Sequence, residues 1–159
     1  GSGAIALALA VERPQARIVA TDQSSAALAV ARRNAQRLNI THVEFRQGDW
    51  CAPLAGERFE LIVANPPYVA AADPRWQEDE LRFEPAAALI SGAEGLDALQ
   101  IIIATAPDCL QSSGWLLLEH GYDQGEAVPA LLRKRGFVQV SDYQDAAGLS
   151  RSSCGRWPG

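Results

Sequence analysis

The chain has 159 residues, 48% of them hydrophobic and 21% charged, with a formal net charge of −5. That length and apolar content suit one α/β domain over residues 1–159, and an acidic balance without a Lys/Arg-rich run makes nucleic acid a disfavoured partner. No apolar run approaches the roughly 20 residues of a membrane span, no signal peptide precedes Gly1, and Cys51, Cys109 and Cys154 lie far apart outside any CxxC pattern, so reduced thiols in a cytoplasm are expected rather than disulfides or a zinc site.

The sequence opens inside a glycine turn, Gly1-Ser2-Gly3, followed by a short helix from Ala4 to Val11 that Pro14 brings to an end. "ARIVATD" reads as a buried parallel strand ending at Asp22. Ser24 or Ser25 then caps a helix in which Leu28, Ala31, Ala35 and Leu38 recur at helical spacing, and Asn39 stops it. "VEFRQGD" and "FELIVA" are the next two strands. A long polar segment from Asn65 to Gly95 exceeds an ordinary connection and is therefore expected to be functional or mobile.

A helix is expected from about Leu96 to Leu110, with Leu96, Leu99, Ile102, Ile103 and Ala106 on its apolar side. "GWLLLEHG" is strand-like, and a helix from Gln124 to Arg135 ends at Gly136. The strand "FVQVSDY" then faces a returning antiparallel partner, "SRSSCGRW", across the loop "QDAAGL". The alternation predicts a mostly parallel, doubly wound sheet covered on both faces and closed by a C-terminal antiparallel hairpin.

In such folds ligands sit beyond the carboxyl ends of the strands. That rule selects the glycine turn, Asp22, Gly48-Asp49, Asn65-Pro66-Pro67-Tyr68 and Glu119. Gly1-Ser2-Gly3 lets a ligand approach backbone amides at a helix N-terminus, or is a structural turn. Asp22 stands about where a dinucleotide fold puts a ribose-binding acid, or is a solvated strand-end acid or helix cap. Asp49 is an acceptor for an exocyclic amine with Trp50 as a packing surface, or forms a Gly-Asp turn beside a core tryptophan.

Asn65-Pro66-Pro67-Tyr68 is the most specific feature. Two prolines hold one backbone shape without N–H groups, so the Asn65 oxygen and the Pro66 carbonyl are free to accept both hydrogens of one planar –NH₂ while Tyr68 stacks on it. A bare stiff turn is the competing explanation.

Taken together, "GSGAIALALA", "VATDQSSAALAVARRNAQRLN", "GDW", "ELIVANPPYV", "FEPAAALISGAEGLDAL", "GWLLLEHG" and "AGLSRSSCGRW" resemble the Rossmann-like class I S-adenosylmethionine-dependent methyltransferases, and more narrowly the release factor glutamine methyltransferase family (PrmC/HemK). Asn-Pro-Pro-Tyr alone is shared with amino-methylating enzymes of DNA adenine and ribosomal RNA. The narrower signal is Glu84-Pro85 with Gly92-Ala93-Glu94-Gly95-Leu96-Asp97.

The resemblance implies that Gly1, Ser2 and Gly3 line the methionine part of S-adenosylmethionine, that Asp22 holds its ribose, and that Asp49 and Trp50 border its adenine, with Asn65 also beside the cofactor. It implies that Asn65, Pro66, Pro67 and Tyr68 hold the substrate glutamine of the Gly-Gly-Gln loop of class 1 release factors, with Asn65, Pro66 and Tyr68 as the catalytic set. The family's first strand, the acid preceding its glycine turn and its N-terminal helical domain have no counterpart here, so a truncated sheet within a longer chain is expected. A nicotinamide-dependent oxidoreductase also fits the loose pattern Gly1-Ser2-Gly3-Ala4-Ile5-Ala6, but leaves Asn65 to Tyr68 and the terminal hairpin unexplained.

Overall fold

Helix and strand alternate through both compact units of the computed structural model, Gly1–Ala55 and Gly56–Gly159, which describes residues 1–73 and 85–159. The first unit runs α1 (Ala4–Glu12), β1 (Ile18–Asp22), α2 (Ser25–Arg37), β2 (Val43–Gln47). Gly3 adopts φ +83° at the start of α1, and its carbonyl accepts from the Leu7 N–H at 2.9 Å. Ser24 caps α2 by accepting the Ala27 N–H at 3.2 Å, and Asn39 takes φ +55° just past the helix end, as an αL residue at that position does. The strands pair in parallel from Ile18↔Val43 to Asp22↔Gln47. Ala6, Leu7 and Ala10 of α1 and Leu28, Ala31 and Ala35 of α2 are buried at helical spacing.

The second unit contains β3 (Phe59–Ala64), α3 (Asp97–Thr105), β4 (Leu110–Glu119), α4 (Ala127–Arg135), β5 (Val138–Gln144) and β6 (Ser150–Arg156). Its sheet order is β3-β4-β6-β5. β3 and β4 are parallel, while β6 runs antiparallel to both β4 and β5. The C-terminal hairpin is thus present, and its second strand is inserted next to β4. Leu110, Leu116 and Leu118 of β4, Leu99, Ile102 and Ile103 of α3, and Val128 and Leu132 of α4 are buried. No helix among the described residues is long and apolar enough to cross a membrane.

Two boundaries differ from the sequence-based expectation. The helix expected to reach Leu110 ends at Thr105, passes into a 3₁₀ turn over Ala106–Cys109 and gives Leu110 to β4. Pro107 has no N–H to continue an α-helical ladder. The helix expected from Gln124 starts at Ala127, because Tyr122–Gln124 form a separate 3₁₀ turn. Glu84, half of the Glu84-Pro85 signal, lies outside the described residues.

Candidate functional site

In the first unit the residues at the carboxyl ends of β1 and β2 converge. The Asp22 carboxylate accepts from the Gly1 amino group through Oδ2 and from the Ser24 N–H at 2.7 Å through Oδ1. Its carbonyl accepts from the Gly48 N–H at 3.1 Å, and Thr21 Oγ1 donates to the Trp50 carbonyl at 3.0 Å. Asn34 of α2 donates to the Ser2 carbonyl at 3.0 Å. Gly1, Ser2, Gly3, Asp22, Asp49 and Trp50 are therefore brought to one edge, with Asp49 exposed and Trp50 half-buried at φ +46°.

Gly3 is required there on two counts. Beyond its left-handed backbone, a Cβ would meet Ala31 Cβ at 2.9 Å, so the turn packs directly on α2. A Cβ added at Gly1 would meet nothing within 4 Å.

In the second unit β3 delivers Asn65-Pro66-Pro67-Tyr68. The strand is pinned through Ala64↔Leu118, its last pairing with β4. Pro66 is buried and Asn65 exposed. Among the described residues neither the Asn65 side chain nor the Pro66 carbonyl has a hydrogen-bond partner, so two acceptors stand uncommitted beyond the strand end. Tyr68 is the opposite case, because its hydroxyl donates to Glu119 Oε1 at 3.2 Å and its carbonyl is also engaged.

Burial raises the Tyr68 phenol above its ordinary value, Glu119 raises it further, and Arg151 opposes both. The neutral phenol is thus the folded-state form. Its contribution to stability is complete below the unfolded value of about 10 and is lost as pH rises through the higher folded value. In a phenolate absorbance titration, with Tyr68→Phe identifying the signal, Glu119→Gln is expected to move this midpoint downward. An unchanged midpoint would disprove the role of Glu119.

His120, just past β4, is fully buried. Its Nδ1 lies 2.9 Å from the Gly121 carbonyl, and its Nε2 lies 2.7 Å from Ser153 Oγ and 3.1 Å from Asp142 Oδ1. Ser150 and Ser153 both donate to Asp142. The node ties the ends of β4, β5 and β6 together, and Glu119 pairs with Ser152 beside it.

Two polar residues near the turn carry no periodic signal in the sequence. Ser91 Oγ accepts from the Ala98 N–H at 2.7 Å and so caps α3 from outside the helix. Gln124, expected only as a helix start, is 7% exposed and reaches the Tyr68 carbonyl. A glutamine buried just after an apolar strand is the signal that singles it out.

Residues 1–94 match the family model of the methyltransferase small domain. The chain is 56% identical over its whole length to a release factor glutamine methyltransferase of Xylella fastidiosa, covering 58% of that protein. It is 51% identical to one of Pseudomonas aeruginosa over 94% of this chain and 54% of the relative. The chain therefore spans little more than half the length of these curated relatives. Among solved structures, a methyltransferase of Pyrococcus furiosus superposes with a TM-score of 0.70 at 19% identity, over 98% of this chain and 70% of that one, a likeness of fold.

Proposed function

Because the chain belongs to the methyltransferase small domain family and has a Rossmann-like class I methyltransferase fold, we propose that the complete protein methylates a glutamine side-chain amide nitrogen, that of the Gly-Gly-Gln loop of class 1 peptide chain release factors, in the cytoplasm. The observation that carries this reading is the pair of acceptors, the Asn65 side chain and the Pro66 carbonyl, uncommitted among the described residues and held on a proline-stiffened turn beside an anchored Tyr68 ring. Relatives bearing that name at 51–56% identity support the choice of substrate.

The residue set fits S-adenosylmethionine. Asp22 has about four lone-pair sites, so its bond to the Ser24 N–H leaves capacity for ribose hydroxyls, and Gly1, Ser2 and Gly3 would line the methionine part. Asp49 and Trp50 would border the adenine. The cofactor supplies an electrophilic methyl group on a sulfonium that departs as a neutral thioether.

The chain supplies alignment. An amide nitrogen is a poor nucleophile because its lone pair is delocalised into the carbonyl. Two fixed acceptors polarise both N–H bonds and orient the nitrogen, while Tyr68 packs on the flat face and limits rotation. With the methyl group that the cofactor would supply, the nitrogen would exchange one of its two protons, and that proton would pass to solvent. No strongly shifted general base is required.

The test is mass spectrometry after incubating the complete protein with labelled S-adenosylmethionine and, separately, a class 1 release factor, an adenine-containing DNA and ribosomal RNA. Label on the Gly-Gly-Gln glutamine is expected. Label on adenine with none on glutamine would overturn the reading.

A further inference from the structure

Gln124 uses both ends of its side chain. Its Oε1 accepts the Gly121 N–H at 2.9 Å, and its Nε2 faces the carbonyls of Tyr68 at 3.1 Å, Gly95 at 3.3 Å and Glu94 at 3.4 Å. Three stretches far apart in sequence meet at this one amide: the Asn65–Tyr68 turn, the Gly92–Asp97 turn and the end of β4. Burying an amide is costly unless it is paired, and here every donor and acceptor of the group has a partner.

The turn is held at two points. On its N-terminal side Ala64 pairs with Leu118. On its C-terminal side the prolines cannot help, since they fix their own φ but neither the ψ of Pro67 nor the dihedrals of Tyr68. Besides the Tyr68 hydroxyl on Glu119, the first backbone atom fixed after them is the Tyr68 carbonyl, held by Gln124. Beyond it, the Val69 and Ala71 N–H groups donate to Leu89 and Gly92 and the Ser91 N–H donates to Val69, at 2.8–2.9 Å. Gly95 closes the arrangement, because a Cβ there would lie 2.3 Å from the Tyr68 carbonyl oxygen and 2.9 Å from Gln124 Nε2.

We propose that Gln124 is a positioning residue for methyl transfer: it touches no substrate, and by fixing the Tyr68 carbonyl it holds the Asn65 and Pro66 acceptors and the Tyr68 ring in one relation. This rests on the reading of that turn as an amide clamp. Misplacing reacting groups by about 1 Å costs on the order of 10²-fold in rate, so an anchor two residues beyond Pro66 acts directly on kcat.

The experiment compares Gln124→Glu and Gln124→Ala with wild type in the complete protein. Gln124→Glu keeps an acceptor for the Gly121 N–H but has no N–H to donate. Both are expected to lower kcat on a release factor about 10- to 100-fold, with KM for S-adenosylmethionine within about twofold. Hydrogen exchange should quicken at Val69, Ala71 and Ser91 while Leu116 to Leu118 of β4 keep their protection.

A kcat near wild type in Gln124→Glu overturns the proposal. So does a loss of protection spread through β4 with a lowered Tm in both variants, which marks a general structural role. If wild type labels no release factor, the functional reading fails by itself, and the exchange rates of Val69, Ala71 and Ser91 still decide whether Gln124 anchors the turn.

Discussion

Asn65→Ala is expected to lower kcat for methyl transfer to the release-factor glutamine by about 10²- to 10³-fold, the usual cost of removing one preorganised partner of the reacting group. The change removes the side-chain acceptor and little else. Asn65 is exposed, lacks an intramolecular hydrogen bond among the described residues, and follows a strand whose last pairing is made by Ala64. Tm should therefore stay within about 2 °C, since each kcal/mol corresponds to roughly 2–4 °C in a chain of this size. Calorimetry with S-adenosylhomocysteine separates the two roles given to the residue, and a shift in Kd below tenfold is expected. Single-turnover activity above a tenth of wild type would remove Asn65 from the catalytic set.

Gly95→Ala is expected to be the more damaging change to the fold. At φ +72° a Cβ brings about 1–2 kcal/mol of backbone strain, and overpacking adds about 1–3 kcal/mol. The atom it meets at 2.3 Å is the Tyr68 backbone carbonyl, which yields only if the whole turn shifts. A total of about 2–5 kcal/mol corresponds to a fall in Tm on the order of 10 °C, and methyl transfer should drop even at temperatures where the variant is folded. Gly148→Ala is the control: it has φ +78° and nothing within 4 Å of an added Cβ, so it reports strain without the clash. Equal losses in the two variants would show that crowding at the Tyr68 carbonyl is unimportant.

Local chemistry made much of the architecture legible. Ser24 announces α2, Gly136 ends α4 with φ +107°, a period-two pattern marks β2, and the apolar run Leu61 to Ala64 marks β3. The boundaries that slipped lie where backbone chemistry interrupts an apolar run: Pro107 stops α3, and Gly125 separates the turn holding Gln124 from α4. The candidate site shows the same division. Asn65, Pro66, Pro67 and Tyr68 are adjacent in the chain, so their geometry is written in consecutive residues. Gln124 acts on a carbonyl 56 positions away, and Ser91 caps a helix that starts six residues later. No periodicity encodes such links.

The position of β6 inside the sheet has a consequence for synthesis. β6 is the latest of the four strands in the chain, yet it lies between β4 and β5. While a nascent chain is still being extended, β4 has β3 on one side and an open edge on the other, along Trp115 to Glu119, and an unpaired apolar edge invites pairing with other chains. Glu119, which holds the Tyr68 hydroxyl, gains its neighbour Ser152 only when β6 inserts. The strand end that holds the Tyr68 hydroxyl therefore stays one neighbour short until β5 and the loop after it have been made.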